Sequence, residues 1–420
     1  VCAQEQYIFS NLSLSDGLSQ ITVSCIYQDS KGFMWFGTRN GLNRYDGYRF
    51  DVYLKDTDNP HSISDNHIIC MAEDFHGNLW IGTNNGLNRL DISQDTLTLY
   101  YHNPLQNSSL SHNIVYALCT DSRGNIWIGT GEGLSRYNPE TNDFTHIRLD
   151  DLLVNNPVNY ILYKEDKLYL GTTHTGLIIY NIQTGEYQVF RENPEDPHSI
   201  AHNHVRTLLI DKDDNLWIGT HHNGISLMKK GENHFISYHE SNGLTNNYIR
   251  CITQLPDGNI WIGTYNGLNF IDPGTMQITQ YHYGTGQNGL SHYSVYSIYV
   301  DKAQTVWIGT WAGGVDYYNE YSQKFRFHNP SLIGGNLKCI VGAMLETDNH
   351  IYFATEGAGL LEWDKQKETF YTYSLFSGHD EIYNRNSLKS LYLDGDKLLC
   401  GTNTGSIYAF DFQTHRFSLY

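Results

Sequence analysis

The sequence has little proline, little charge and no long apolar run. Only 9 of its 420 residues are Pro, and only 17% are charged. No apolar stretch approaches the ~20 residues that a membrane-spanning helix needs, so no segment is predicted to cross a membrane. Positively charged residues are fewer than negatively charged ones. The formal net charge of -18 opposes binding to phosphate backbones or anionic lipid. Nucleic acid is therefore not an expected partner.

Glycine and tyrosine are abundant instead. The chain contains 38 Gly and 32 Tyr, and 40% of its residues are hydrophobic. Such a composition is typical of many short strands joined by tight turns rather than of helices. The length is sufficient to bury one or two cores of ordinary size.

The N-terminus and the cysteines bear on the cellular compartment. Val1-Cys2-Ala3 resembles the end of a secretory signal, which favours export. A lipid anchor at Cys2 is a weaker alternative, because Val1 precedes it where a small residue is expected. Cys25, Cys70 and Cys251 recur at one position of a repeat, where equivalent residues lie too far apart to pair. They are therefore predicted to be buried free thiols.

One sequence motif, here called the phrase, recurs nine times along the chain. Its clearest copies are Trp80-Ile81-Gly82-Thr83, followed by Gly86-Leu87, and Trp127-Ile128-Gly129-Thr130, followed by Gly133-Leu134. The Gly before the Thr, or Ala354 in its place, recurs as Gly37, Gly82, Gly129, Gly171, Gly219, Gly263, Gly309, Ala354 and Gly401. The steps of 42 to 48 residues match a propeller blade and are too long for a leucine-rich repeat.

The third copy shows four strands within one repeat. Ile114 to Leu118 is an apolar inner strand, and a turn then leads to a second strand at Ile126 to Gly129. A third strand is predicted at Leu134 to Asn138, and an outer strand begins near Phe144. The inner strands are expected to be covered on both faces by neighbouring blades.

The repeated phrase Trp-Ile-Gly-Thr-x-x-Gly-Leu-x-Arg-Tyr resembles the two-component regulator propeller repeat. That family occurs in periplasmic sensor regions of hybrid two-component systems of gut Bacteroidetes. The resemblance implies two successive seven-bladed propellers, a small β-sandwich, a membrane span, a histidine kinase and a response regulator. Because this sequence stops after nine repeats, it is interpreted as an N-terminal fragment of such a sensor, without the kinase.

Nine blades exceed the usual four to eight of one ring, so we predict seven plus two. Residues 1–3 would be a signal-peptide remnant, 4–321 a seven-bladed propeller, and 322–420 the first two blades of a second one. Phe9 to Leu12 would pair with the third strand of the seventh repeat, near Gly314 to Tyr318, and close the ring. Phe325 to His328 would open the second propeller in the same way.

The turns between the second and third strands depart from the repeat and are predicted to surround one mouth. The Trp of each copy is interpreted as packing between blades, and the scattered His residues are not expected to bind metal or a cofactor. Aromatic and planar polar groups in the departing turns suit sugars. The candidate ligand-binding residues are Trp311, Tyr265, Arg39, Glu132, His221, His222, His174 and Asn84.

Trp311 is the strongest of these candidates. It replaces the Asn, Glu or His of other copies and has no evident packing role in a hydrophilic turn. Tyr265 is expected on the adjacent blade, with Arg39 across the closure of the ring.

The leading functional hypothesis is a periplasmic sensor that binds an oligosaccharide and signals to a kinase outside this chain. The oligosaccharide class and the kinase follow from the resemblance alone, and a homodimer is left open. A propeller glycosidase or lyase is the first alternative, but the mouth turns supply one acid, Glu132, without a partner, so no catalytic residues are predicted. A protein-interaction scaffold is the second alternative.

Overall fold

The computed structural model describes residues 7–283, 289–319, 339–367, 369–375 and 386–420. The chain divides into two compact units, residues 1–323 and 324–420, here called unit 1 and unit 2. Within the described residues the regular structure is almost entirely β, with two 3₁₀ turns at Leu14–Asp16 and Glu240–Asn242. The signal-like residues 1–3 and the segment Phe325 to His328 lie outside the described residues.

Unit 1 contains seven four-stranded antiparallel sheets within its described part. A short first strand, β1 (Ser10–Leu12), precedes them. The first three sheets are β2 Val23–Gln28, β3 Met34–Thr38, β4 Gly41–Tyr45 and β5 Phe50–Tyr53; β6 Ile68–Glu73, β7 Asn78–Thr83, β8 Gly86–Asp91 and β9 Thr96–Tyr100; and β10 Val115–Thr120, β11 Ile126–Thr130, β12 Gly133–Asn138 and β13 Asp143–Ile147.

The next two sheets are β14 Val158–Lys164, β15 Lys167–Thr172, β16 Leu177–Asn181 and β17 Tyr187–Phe190; and β18 Val205–Ile210, β19 Leu216–Thr220, β20 Ile225–Met228 and β21 Ile236–Tyr238. The sixth sheet is β22 Ile249–Gln254, β23 Ile260–Thr264, β24 Gly267–Asp272 and β25 Gln277–Tyr281. The seventh has only three strands of its own, β26 Val295–Val300, β27 Val306–Thr310 and β28 Val315–Tyr318.

Strand β1 supplies the missing fourth strand of the seventh sheet and closes the ring. Its register pairs Ser10 with Tyr317 and Leu12 with Val315, which confirms the pairing predicted from the sequence. Each inner strand contacts the inner strands before and after it, and β26 contacts β2. Closure removes an exposed sheet edge at the junction of the two chain segments.

The second strands form the most deeply buried layer of unit 1. Their Trp residues are at most 7% exposed, which confirms the interpretation as packing between blades. The Gly of the phrase is required by close approach: a Cβ on Gly82 would lie 2.5 Å from Cys70 Sγ and 2.7 Å from Val115 Cγ1 of the next sheet. Any larger residue would push neighbouring blades apart.

Inner strands are less completely buried than their apolar sequences predict. In β2 the buried residues are Val23 and Ile26, with partly exposed residues between them. The physical reason is that inner strands border the centre of the ring, so neighbouring blades do not cover them fully. By contrast, five of the seven second strands in unit 1 are buried at every position: β3, β11, β19, β23 and β27.

A β-bulge interrupts every inner strand of unit 1 at its second residue. In the fifth sheet, for example, Val205 pairs with Thr220 and Thr207 with Gly219, which leaves Arg206 without an opposite residue. Bulges re-aim side chains and are frequent near functional sites. The seven bulge residues are Ser24, Ile69, Tyr116, Asn159, Arg206, Arg250 and Tyr296.

Unit 2 contains two further sheets within its described part. They are β29 Ile340–Glu346, β30 His350–Glu356, β31 Gly359–Asp364 and β32 Thr369–Tyr373, and β33 Leu388–Asp394, β34 Lys397–Thr402, β35 Ile407–Asp411 and β36 Arg416–Leu419. Their inner strands expose large apolar side chains, including Ile340 at 67%, Met344 at 69% and Tyr392 at 67%. That these sheets begin a second propeller remains a prediction.

The described cysteines are free thiols. Burial raises the pKa of Cys25 and Cys251 to about 12, and it raises that of Cys70 as well. The prediction of unpaired thiols at this repeat position is therefore confirmed, but the three residues are half-buried rather than fully buried. Their role is to pack against the glycines of the second strands.

Candidate functional site

The candidate site lies on the face of unit 1 that carries the turns between second and third strands, here called the mouth. In each sheet the first residue of this turn donates its backbone N–H to the carbonyl of the residue just before the inner strand. Arg39 bonds to Thr22 in this way, and Trp311 bonds to Ser294. This repeated hydrogen bond brings three positions of each blade together: the turn, the residue before the inner strand, and the bulge.

Trp311, Arg39 and Tyr265 meet at the mouth around Arg250. The Arg39 guanidinium carbon lies 4.1 Å from the centre of the Trp311 ring, across the closure of the ring of blades. The Arg250 guanidinium lies 5.6 Å from the Trp311 ring and 5.4 Å from the Tyr265 ring. Cation–π attraction at such distances orients the aromatic faces. The predicted proximity of Arg39 to Trp311 is thus confirmed.

The bulge residues complete this cluster. Arg250 lies 4.3 Å from the ring of Tyr296, and Tyr296 stacks on Trp311 at 5.6 Å between ring centres. Arg206, from the fifth sheet, lies 6.0 Å from Tyr296 of the seventh sheet. Because the sixth sheet stands between them in the ring, this contact is made through the centre of the mouth.

Trp311 does have a packing role, contrary to the sequence analysis. It is half-buried, with Tyr296 stacked against it and two arginines over it. Its carbonyl also accepts a hydrogen bond from the Thr22 hydroxyl, which joins the last blade to the first. Tyr296 and Arg250 could not be seen as its partners in the sequence, because bulges are not readable from a repeat pattern.

His221 and His222 belong to a second cluster, with His204 and Tyr248. His221 stacks on His204 at 4.3 Å and hydrogen-bonds through Nδ1 to His222 and through Nε2 to the Tyr248 hydroxyl. Burial, followed by nearby His and Arg charges, lowers the pKa of His221 to about 3 and that of His204 to about 4. Both rings are therefore neutral at pH 7.

The remaining candidates lie apart from the Trp311 cluster in the contacts that the described residues make. Glu132 is exposed, and its Oε2 accepts a hydrogen bond from the Asn155 N–H at 3.1 Å. His174 and Asn84 are exposed turn residues. His174 is close enough to act on the pKa of His204.

A row of partly exposed tyrosines leads away from Arg250. Tyr265 lies 6.1 Å from Tyr248 and 6.2 Å from Tyr293, and Tyr293 lies 6.5 Å from Tyr283, measured between ring centres. Tyr265, Tyr293 and Tyr283 are 47%, 38% and 55% exposed. Aromatic rings that lie one after another and face solvent form a surface on which sugar rings can stack.

No group of three His, Cys, Asp or Glu side chains in the described part of the chain is placed to hold a metal ion. None of the helices formed by the described residues has the length and apolarity to span a bilayer.

Comparison with known proteins relates the repeats of this chain to two-component signalling proteins. Six segments match the family described as two component regulator propeller, at residues 17–40, 62–85, 109–132, 199–222, 243–266 and 289–312. Over 58 residues, 14% of this chain and 4% of the relative, the sequence is 43% identical to histidine kinase P4 of Formosa agariphila.

Two solved structures share the fold over nearly the whole chain. The extracellular domain of BT3049 from B. thetaiotaomicron, described as a hybrid two component system, is 26% identical with a TM-score of 0.71, and the match covers 98% of this chain. That of BT4673 is 22% identical with a TM-score of 0.59, over 99% of this chain. This chain spans 54% and 53% of their lengths. The chain is therefore a β-propeller protein that contains two-component regulator propeller repeats, six of which match the family model.

Proposed function

We propose that this chain is the ligand-sensing, periplasmic part of a hybrid histidine kinase and response regulator, and that it recognises an oligosaccharide. The repeats and the similarity to an extracellular domain described as part of a hybrid two component system support the sensor role. Binding would shift the arrangement of the extracytoplasmic region and thereby act on a kinase outside this chain.

The observation that carries the oligosaccharide proposal is the combination of Trp311 with the tyrosine row. Tyr265 and Tyr293 offer rings to solvent, and Arg250 joins Tyr265 to the Trp311 cluster. Stacking on aromatic faces next to planar hydrogen-bond donors is the chemistry that sugar recognition uses.

The acidic residue noted at the mouth favours binding without catalysis. Glycosidases need two carboxyl groups about 5 to 10 Å apart on either side of the scissile bond. Glu132, the acid noted from the sequence, already accepts a hydrogen bond from the Asn155 backbone. The three cations of the Trp311 cluster are arginines, which do not release protons at neutral pH.

Calorimetric titration of the complete extracytoplasmic region with oligosaccharides from common gut polysaccharides tests the proposal. With a sugar that binds, Trp311→Ala should weaken binding by about 1 to 3 kcal/mol, as expected for an aromatic residue central to a binding surface. Tyr48→Ala is the matched control, because Tyr48 is 95% exposed in a turn after the third strand, on the opposite face.

Unaltered affinity in Trp311→Ala would move the site elsewhere in the receptor and leave Trp311 with its packing role alone. Turnover of a sugar in the same panel would instead favour the glycosidase or lyase alternative. Capture of a periplasmic protein, with no sugar bound, would favour the scaffold alternative.

A further inference from the structure

We infer that the ligand is an acidic sugar, whose carboxylate or sulfate group binds between Arg39, Arg206 and Arg250 while its adjoining rings lie on the tyrosine row. This inference rests on the proposed function, because it names the chemical class of the ligand at the same mouth. It goes further in assigning the charged group of the ligand to three particular side chains.

The three arginines come from different blades and converge on two shared rings. Arg39 belongs to the first sheet, Arg206 to the fifth and Arg250 to the sixth. Arg39 and Arg250 both lie within 6 Å of the Trp311 ring, and Arg206 and Arg250 both lie within about 6 Å of the Tyr296 ring. Two of them are bulge residues, aimed away from the hydrogen-bonded ladder.

None of these three arginines has an ion-pair partner among the residues that the structure describes. Some arginines elsewhere in unit 1 do have one: Arg44 lies 2.8 Å from Asp51, and Arg123 lies 3.8 Å from Asp166. The Nε of Arg250 is buried without a hydrogen-bond acceptor in the described part of the chain. Such a donor is costly to leave unpaired, and a bound anion would satisfy it.

The positive potential of the cluster is visible in its effect on Tyr296. Burial alone would raise the pKa of this phenol, yet the charges of Arg206, Arg250 and Arg39 together lower it below its ordinary value. The neighbouring His221 and His204 rings are neutral at pH 7 and add no charge. The field therefore comes from the arginines themselves.

Guanidinium groups suit this role for a chemical reason. Their planar donors match carboxylate and sulfate oxygens in pairs, and charge-assisted bonds of this kind are stronger than neutral ones. Like charges held together without a counter-ion repel each other, so an anion between them relieves a cost already present in the free protein. The overall charge of -18 makes this attraction local to the mouth.

The test compares ligands that differ only in charge, by calorimetry with the complete extracytoplasmic region. The probes are a trisaccharide of galacturonic acid, its methyl ester, galactotriose, a sulfated galactotriose and inorganic sulfate. We expect the wild-type protein to bind an acidic trisaccharide at least about tenfold more tightly than its uncharged counterpart. The acid and the sulfated form separate the two anionic groups.

Arg250→Met should abolish most of that preference, whereas Arg123→Met, on the opposite face, should retain it. Arg39→Met is the second variant, because its exposed side chain can be replaced even if Arg250→Met does not fold. Binding is compared only for variants whose unfolding midpoint equals that of the wild-type protein.

The outcomes distinguish failure of this inference from failure of the proposed function. Equal binding of charged and uncharged sugars overturns the acidic ligand while sugar sensing stands. A preference for the charged sugar that survives both mouth variants overturns the assignment of the charged group to these arginines. Binding of inorganic sulfate that depends on Arg250, without binding of any sugar, supports the anion site and overturns the oligosaccharide proposal. Failure of every probe to bind overturns both.

Discussion

The second strands and the mouth of unit 1 follow opposite rules. Along the second strands the same Gly recurs in all seven blades and a buried Trp in six, with Tyr169 in its place in the fourth. At the mouth the first turn residue changes in almost every blade: it is Arg39, Asn84, Gly131, Thr173, His221, Tyr265 and Trp311 in turn. Repetition therefore marks what holds the blades together, and departure from repetition marks where a ligand can be recognised.

The largest expected effect is at a second strand, where Trp127→Ala should lower the free energy of unfolding by about 3 to 5 kcal/mol. Trp127 is 3% exposed, and its indole N–H donates to Asp121 Oδ2 at 2.9 Å. Denaturant unfolding measures the change, with Tyr48→Ala as an exposed control expected to be nearly neutral. A small loss of unfolding free energy in Trp127→Ala would contradict the distinction drawn between the second strands and the mouth.

The closure of the ring should be the next most sensitive place. The Asn11 side-chain amide donates to Gly313 O and to Asp316 Oδ1, both at 2.8 Å. Asn11→Ala should cost about 1 to 3 kcal/mol at pH 8, because it removes a donor from a buried carboxylate. Ser10→Ala, at an exposed neighbour in the same strand, is the control.

The cost of Asn11→Ala should shrink as the pH falls. Burial raises the pKa of Asp316 to about 6, and the hydrogen bonds from Ser291 and Asn11 oppose that rise. The folded protein therefore binds more protons at this group than the unfolded one between about pH 4 and 6, so the group adds stability on acidification. A substitution effect that is the same at pH 5 and pH 8 would contradict this account.

The sixth blade offers a sharper test of what the second-strand Trp contributes. Five repeats place an Asp six residues before the Trp, and its carboxylate accepts the indole N–H. In the sixth, Leu255 takes that position, and Trp261 Nε1 has no acceptor among the described residues. Trp127→Phe should therefore cost about 1 kcal/mol more than Trp261→Phe, measured by paired unfolding curves. Equal costs would show that the hydrogen bond adds nothing beyond packing.

At pH 7 the smallest expected effect is at the mouth, where the histidines show themselves only in the dependence of stability on pH. His221 and His204 stay neutral in the folded protein down to about pH 3 and 4, while in the unfolded chain they take up protons below about pH 6.5. The unfolded state then binds more protons, so stability falls as the pH drops from 7 to 4. The double variant His204→Gln, His221→Gln should lose part of this slope at little cost in stability at pH 7. A slope unchanged by the double variant would mean that other groups set it.

Much of the fold could be predicted because the four strands of a blade are recognisable within a single sequence repeat. Trp127-Ile128-Gly129-Thr130 lies in β11 as expected, and β1 completes the seventh sheet. Burial of the inner strands was predicted less well, because it depends on how the blades surround the centre of the ring. In unit 2, where the described part has two sheets, apolar inner-strand residues such as Met344 are largely exposed.

The sequence by itself determined the blade, its number of copies and the strand that closes the ring, because these follow from local alternation and from a repeat that is visible along the chain. Its departures from that repeat also pointed to Trp311, Tyr265 and Arg39. Only the tertiary structure decided that Arg206, Arg250 and Tyr296 join them. The reason is that a bulge in each inner strand turns one side chain toward the centre, where blades distant in sequence meet.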